Sequence, residues 1–351
     1  RGNKMEKKVT SLNIQTQAVH AGDRKKPNGS IPVTTPIYTA ASYIYDKLET
    51  LDQVFSQEIP GDSYARYDNP TNRGLEELLA TLESGTTALA TSSGMSAILL
   101  LGMGLLKAGD HVVCSRSVFG STIMLFGREF AKFGVETTFV SQTDVAEWQR
   151  AIKPNTRLLF AESPTNPLTE VCDIAALSAI AKKAGAWLAV DNCFCSPALQ
   201  KPIEYGADLV IHSGTKYLDG QGRVIAGAIC GSEALVNERF VPVMRSAGMS
   251  LSPFNAWVVL KGLETLTIRM EAQSARALAL AQWLEAQPAV QRVYYPGLPS
   301  HPQHALAMKQ QRGLGGAVLS FEVRGGRDAA WAVSDATRVL SVTSNLGDTK
   351  T

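Results

Sequence analysis

The chain has 351 residues, 45% hydrophobic and 19% charged, enough for a sizeable buried core and two domains. Its 34 basic and 32 acidic side chains leave a net charge of +2 with no block of one sign, so nothing favours a nucleic-acid or membrane-surface partner. No apolar run reaches the roughly 18–20 residues of a membrane span, and the five cysteines, odd in number and mostly in apolar runs, suit reduced thiols in the cytosol.

Met5 is the expected native start, with Arg1 to Lys4 foreign to the native chain and no apolar core of a signal peptide after them. Between Val9 and about Gln57 the pattern is irregular, broken by Pro27, Pro32 and Pro36, with little helical period. So long an irregular segment is uncommon inside a compact domain, so residues 1–60 are expected to form an arm lying on another surface, such as a second subunit. Residues 31–45 are too apolar and aromatic for a disordered tail. Arg66, with Tyr64 and Tyr67 beside it, could grip an anion, although a lone arginine more often coats a surface. Asn69 or Thr71 can cap a helix whose apolar face is Leu75, Leu78, Leu79 and Leu82, with Gly85 as its C-cap.

Residues 86–91 read as a strand, 92–96 as a tight turn and 97–106 as an apolar helix. The turn offers hydroxyls, Gly94 and the free N–H groups of a helix start, which together can hold a phosphate; a plain helix cap fits it equally well. It matches neither the dinucleotide glycine fingerprint nor a Walker loop. Residues 112–115 form a strand, and a helix opens at 117–121, where Phe119 could stack on a flat ring or pack in the core. Strands follow at 135–140 and 158–161, the second leading into a rigid loop, Glu162-Ser163-Pro164-Thr165-Asn166-Pro167. A helix at 174–184 precedes a strand at 187–190 that ends in Asp191, an acid that needs a partner if buried. Cys193 and Cys195 lack metal-site spacing, so no metal is expected.

Leu209-Val210-Ile211 is a buried strand that breaks into Ser213, Gly214, Thr215 and Lys216. Ligands gather beyond the carboxyl ends of such strands, which puts the Lys216 amine where a reactive group belongs; taken alone, a solvated lysine is the commoner outcome. With an apolar run at 224–230, the alternation from 86 to 230 predicts a mostly parallel sheet. A long helical pattern starts at Leu251-Ser252-Pro253 and runs to Leu284. His301 and His304 are expected in an exposed loop. Strands at 318–323 and 339–342 and a helix at 329–336 predict a smaller α+β layer. The expected division is an arm at 1–60, a large domain at 61–252 and a small domain at 253–351 that continues past Thr351.

The ordered motifs YARYDNPT (64–71), SSGMSA (92–97), SVFGST (117–122), ESPTNP (162–167), DNCFCSPALQKP (191–202) and DLVIHSGTKYLDGQGR (208–223) resemble those of the cystathionine γ-synthase family. These are pyridoxal-phosphate (PLP) enzymes of cysteine and methionine metabolism, and the likeness covers nearly the whole chain from about Val9. It implies the type I, aspartate aminotransferase-like PLP-transferase fold. It also implies that Lys216 bonds the cofactor's aldehyde and later moves protons, and that Asp191 pairs with the pyridine nitrogen. Phe119 would stack on the ring and Asn166 would bond its 3′ oxygen. The Gly94 and Met95 N–H groups and the Ser213 and Thr215 hydroxyls would hold the phosphate, joined by Tyr64 and Arg66 of a neighbouring subunit.

The implied reaction is γ-replacement on an O-acylhomoserine (succinyl or acetyl) with sulfide or cysteine, giving homocysteine or cystathionine for methionine biosynthesis or transsulfuration. The alternative is a cystathionine or methionine γ-lyase, or a cystathionine β-lyase. Many family members, the γ-lyases above all, carry tyrosine where this chain has Phe119, which cannot donate a proton; this favours the sulfhydrylase branch, with Tyr64 of the neighbour as the available acid. The family's carboxylate-binding arginine lies beyond a turn like SNLGDTKT, which leaves Ser344 as the local candidate for the substrate carboxylate. A cytoplasmic homotetramer, a dimer of dimers with shared sites, is implied. An NAD-dependent dehydrogenase would need the missing glycine fingerprint, and a non-catalytic relative would not need Lys216, Asp191 and Arg66 together.

Overall fold

The computed structural model describes residues 12–21 and 31–350. Its centre is a seven-stranded sheet in the order β1-β7-β6-β5-β4-β2-β3. The strands are β1 Thr87–Thr91, β2 His111–Ser115, β3 Glu136–Val140, β4 Thr156–Glu162, β5 Trp187–Asp191, β6 Leu209–Ser213 and β7 Gly227–Gly231. β3, β2, β4, β5 and β6 run parallel, and β7 is antiparallel to both β6 and β1. The inner strands are continuous apolar runs because both faces are covered, whereas β3 at the edge is only partly buried. One face packs under the helix Gly94–Leu105 with Phe126, Phe130 and Phe240. The other carries the helix Ile174–Ala184 with Trp148, and the helices Pro70–Leu82 and Pro253–Leu263. No described helix is long and apolar enough to cross a membrane.

A second layer pairs β8 Val290–Tyr294 with β9 Ser320–Val323, antiparallel, over the helix Leu266–Glu285. Its core is Ala277, Ala281, Leu284, Val293, Tyr295 and Leu298.

Several sequence expectations change. Residues 1–11 and 22–30 of the arm lie outside the described residues. The rest is not free of helix: Ile14–His20, capped by the Asn13 side chain, and Leu48–Phe55 are both helical. Seven and eight residues give too few turns for a period to show. The first of these helices packs Ala18 and Ala21 with Leu75 and Leu78, so part of the arm belongs to this chain's own core. Val33, Ile44 and Leu48 stay 82%, 99% and 81% exposed.

The helix Pro70–Leu82 starts as expected, with Asn69 accepting from the Thr71 N–H. It closes before Gly85: Glu83 is the C-cap, Ser84 takes the left-handed turn at φ 60°, and the Gly85 N–H returns to the Ala80 carbonyl. The long helical pattern breaks into Pro253–Leu263 and Leu266–Glu285, and Gly262 in the last turn of the first lies against the Leu218 and Asp219 carbonyls. Residues 339–342 form no strand; alternation without a partner leaves Val339 and Val342 exposed. The helix Val145–Ala151 and strand β8 had no distinct sequence signal. His301 is buried rather than exposed, accepting from the Gln303 N–H at 3.1 Å, and burial holds its imidazole below the ordinary range. His304 is half-buried on the Pro296 carbonyl at 2.8 Å.

Candidate active site

Three adjacent strands end in polar residues at the same edge of the sheet. Glu162 closes β4 opposite Asp191, which closes β5, and Asp191 stands opposite Ile211, two residues before Ser213 closes β6. Open α/β sheets place their ligand sites at this edge. Lys216 follows β6 in a short π-helical segment, Gly214–Leu218, where its own backbone leaves helical values at φ −87° and ψ −126°. Such single wide turns are frequent at functional sites.

The helix Gly94–Leu105 begins against this edge. Ser93 caps it through its hydroxyl to the Ser96 N–H at 3.0 Å and its carbonyl to the Ala97 N–H at 3.1 Å. The Gly94 and Met95 N–H groups therefore have no partner among the described residues, an anion-binding helix start. A side chain on Gly94 would place Cβ 2.9 Å from Ser213 Cβ. Beneath it, a Cβ on Gly227 would fall 2.1 Å from the Ser93 carbonyl oxygen, so two glycines let the helix start meet β6 and β7. Thr215 is partly engaged: its hydroxyl accepts from the Ala226 N–H at 3.1 Å.

Asp191 is only 8% exposed and accepts from the Cys193 N–H at 3.0 Å. Burial pushes its carboxyl up, while Cys193, His212 and Lys216 pull the other way. Phe119 presents a ring 50% exposed, and its N–H donates to Glu162 at 2.8 Å. Lys216 Nζ donates to Asn345 Oδ1 at 2.5 Å, and Gly347 lies on the Lys216–Tyr217 backbone, where a Cβ would come within 2.8 Å.

The expected residues thus divide. Lys216, Ser213, Thr215, Gly94, Met95 and Asp191 converge, and Glu162 ties Phe119 and the loop of Asn166 to them. Tyr64 and Arg66 stand apart: Arg66 donates to the Arg245 carbonyl and lies over the Tyr64 and Tyr67 rings at 5.2 and 4.7 Å. Ser344 is exposed, and its neighbour Asn345 reaches Lys216 where the tail turns about Gly347. Sequence reasoning missed Asn345 as a contact and Glu162 as a buried acid; the only signal for the latter was its place at a strand end.

These residues fit pyridoxal phosphate. The unpaired helix-start N–H groups beside a glycine whose Cβ would fill the space suit a phosphate, the buried acid without an ion pair suits a protonated ring nitrogen, and the bare Phe119 face suits a ring. Among curated proteins, an O-succinylhomoserine sulfhydrylase of Pseudomonas aeruginosa is 57% identical over 338 residues, 96% of this chain and 83% of its own. An L-methionine gamma-lyase of Treponema denticola is 38% identical over 98% of this chain and 86% of its own. Among solved structures, metB from Corynebacterium glutamicum superposes with a TM-score of 0.92 at 34% identity, covering 97% of this chain and 86% of that one. The fold is the expected type I PLP-dependent arrangement. A family model for Cys/Met metabolism PLP-dependent enzymes matches residues 15–351, and the chain belongs to that family.

Proposed function

We propose that the protein replaces the γ-substituent of an O-acylhomoserine, O-succinylhomoserine before O-acetylhomoserine, with sulfide or cysteine, giving homocysteine or cystathionine. Phe119 carries this reading over elimination: the ring at the site has no hydroxyl to protonate a departing thiolate, whereas an acyl carboxylate leaves unaided. The likeness to a sulfhydrylase agrees with it. The likeness to a methionine γ-lyase keeps elimination as the second reading.

Bound pyridoxal phosphate supplies the sink for negative charge at the substrate's α- and β-carbons. Asp191 would pair with the ring nitrogen and keep it protonated. Phe119 would cover one ring face, Asn166 would bond the ring oxygen, and Gly94 N–H, Met95 N–H, Ser213 and Thr215 would hold the phosphate. Lys216 would hold the cofactor's aldehyde, and its Nζ is the base that would move the proton at Cα. Asn345 orients that amine. Tyr64 and Arg66 serve the site of a second copy, with Tyr64 as the available acid, which suits their separation from Lys216 within one chain. The exposed Val33, Ile44 and Leu48 suit an arm covered by that copy in a homotetramer. The units are the arm at 1–60, the cofactor domain at 61–252 and the small domain at 253–351, and the free thiols suit the cytoplasm.

Product analysis separates the readings. O-succinylhomoserine with sulfide is expected to yield homocysteine, while methionine or cystathionine alone yields no 2-oxo acid; 2-oxobutyrate from methionine would establish the lyase instead. The shared site is tested by mixing inactive chains. Arg66→Ala and Lys216→Ala proteins, refolded together in equal amounts, are expected to regain about a quarter of wild-type activity, because half of random dimers hold one intact site. No recovery would confine Arg66 to its own chain.

A further inference from the structure

We infer that Glu162 is a positioning residue of this site, an uncharged carboxylic acid that fixes the backbones of Phe119 and Asn166 beside Asp191. The inference rests on the cofactor site proposed above. Glu162 and Asp191 are register partners at the ends of β4 and β5. Residues directly opposite on neighbouring strands project from the same face, so the two carboxyl groups lie side by side. They are 6% and 8% exposed, and neither forms an ion pair among the described residues. Two buried carboxylates in that arrangement do not both keep a charge.

Their surroundings decide which one does. Asp191 receives the Cys193 N–H and has the Lys216 amine near it, so the cation lies on its side. Among the described residues no cation faces Glu162. The titratable groups facing it are Asp191 on β5, Cys193 beyond β5 and Cys114 on β2, whose thiols burial keeps protonated. Burial first, and Asp191 second, push the Glu162 carboxyl up to about 8.

A neutral acid still accepts hydrogen bonds through its carbonyl oxygen, and Glu162 accepts the Phe119 N–H at 2.8 Å, with the Asn166 N–H also turned to it. Phe119 is the N-cap of the helix Gly120–Met124 and has no side-chain cap of its own, so this bond sets where its ring stands. The Gln142 side chain holds the Glu162 backbone in turn, donating to its main-chain carbonyl at 2.6 Å. One side chain therefore locates both the group covering the ring face and the group at the ring edge.

The test compares Glu162→Gln with Glu162→Ala as holoenzymes, reading kcat at pH 6 to 8, the dissociation constant of pyridoxal 5′-phosphate and visible circular dichroism of the bound cofactor. Glutamine keeps the acceptor oxygen and the neutrality, so kcat and the dichroism are expected within about threefold of wild type across that pH range. Alanine frees both backbones and is expected to weaken cofactor binding about tenfold and kcat about a hundredfold, with altered dichroism. A glutamine variant as impaired as the alanine one would overturn the inference, because the charge or proton would then be in use. An alanine variant with unchanged dichroism and affinity would overturn it as well. Should Glu162→Ala fail to fold, the glutamine result decides alone. A wild-type chain that took up no cofactor would instead overturn the site reading, and this inference with it.

Discussion

Lys216→Ala is expected to reduce turnover of O-succinylhomoserine with sulfide by about 10⁴-fold or more, the upper range for losing a positioned acid–base group. Borohydride treatment, which fixes the cofactor on the wild-type chain, is expected to add no cofactor mass to the variant. No other described lysine is held in this manner: Lys216 Nζ bonds Asn345 Oδ1 at 2.5 Å, and the chain about it is gripped between Gly347 and the π-helical turn. The anchored amine thereby stands just beyond the end of β6, beside Asp191 and the helix-start N–H groups, where it can take a proton from Cα. The fold is expected to tolerate the change, since Lys216 is only partly buried and lies past the end of β6. Cofactor bound without the covalent link would show as intact phosphate and ring contacts in an inactive protein. Turnover above about 1% of wild type would mean that another base reaches Cα.

That the site was legible at all comes from where parallel sheets put their chemistry. Asp191 and Lys216 each follow an uninterrupted apolar run, and a polar residue at such a junction must face either a ligand or a partner. Gly94 was legible because a glycine next to a capping serine marks both a helix start and a close approach, which the 2.9 Å separation from Ser213 bears out. Glu162 was not, since a glutamate before Ser163-Pro164 reads as the start of a rigid loop, and its burial appears only in the fold, opposite Asp191 across β4 and β5. Asn345 was not singled out because one residue of register in an irregular turn decides which side chain reaches Lys216, and no periodicity sets that register. The arm failed in the other direction: Ile14–His20 owes its helix to the Asn13 cap and to packing on Leu75 and Leu78, and neither appears in local composition. The expected strand at 339–342 shows the reverse, a good alternation that comes to nothing without a neighbouring edge.

The largest stability effect belongs to a residue behind the site. Glu83→Ala is expected to lower the unfolding free energy by about 3–5 kcal/mol, the range for removing one partner of a buried pair. Glu83 caps the helix Pro70–Leu82 with its backbone, yet turns its side chain inward, where both it and His212 are 0% exposed. Its Oε1 meets His212 Nε2 and accepts from Asn192 Nδ2 at 2.9 Å. Asn192 donates also to the Gln200 carbonyl at 2.8 Å, and Gln200 donates to the Ser163 carbonyl at 2.9 Å. One carboxylate thus joins the helix end to the residues just past β4 and β5 and to β6. Alanine would leave the imidazole unpaired and free an Asn192 proton in a place without solvent. Glu83→Gln retains one acceptor and is expected to cost about 1–2 kcal/mol. The double variant Glu83→Ala/His212→Ala should lose less than the sum of its parts, because the two side chains form one pair. Denaturant midpoints of the holoenzyme at fixed cofactor concentration measure these three variants and the single His212→Ala that the comparison requires. A loss below about 1 kcal/mol for Glu83→Ala would mean that water replaces the carboxylate at no great cost. Asn192 follows Asp191 and His212 precedes Ser213, so the alanine variant is also expected to hold pyridoxal phosphate less tightly. Lost stability with unchanged cofactor affinity would show that the pair supports the sheet edge without setting the geometry of the groups upon it.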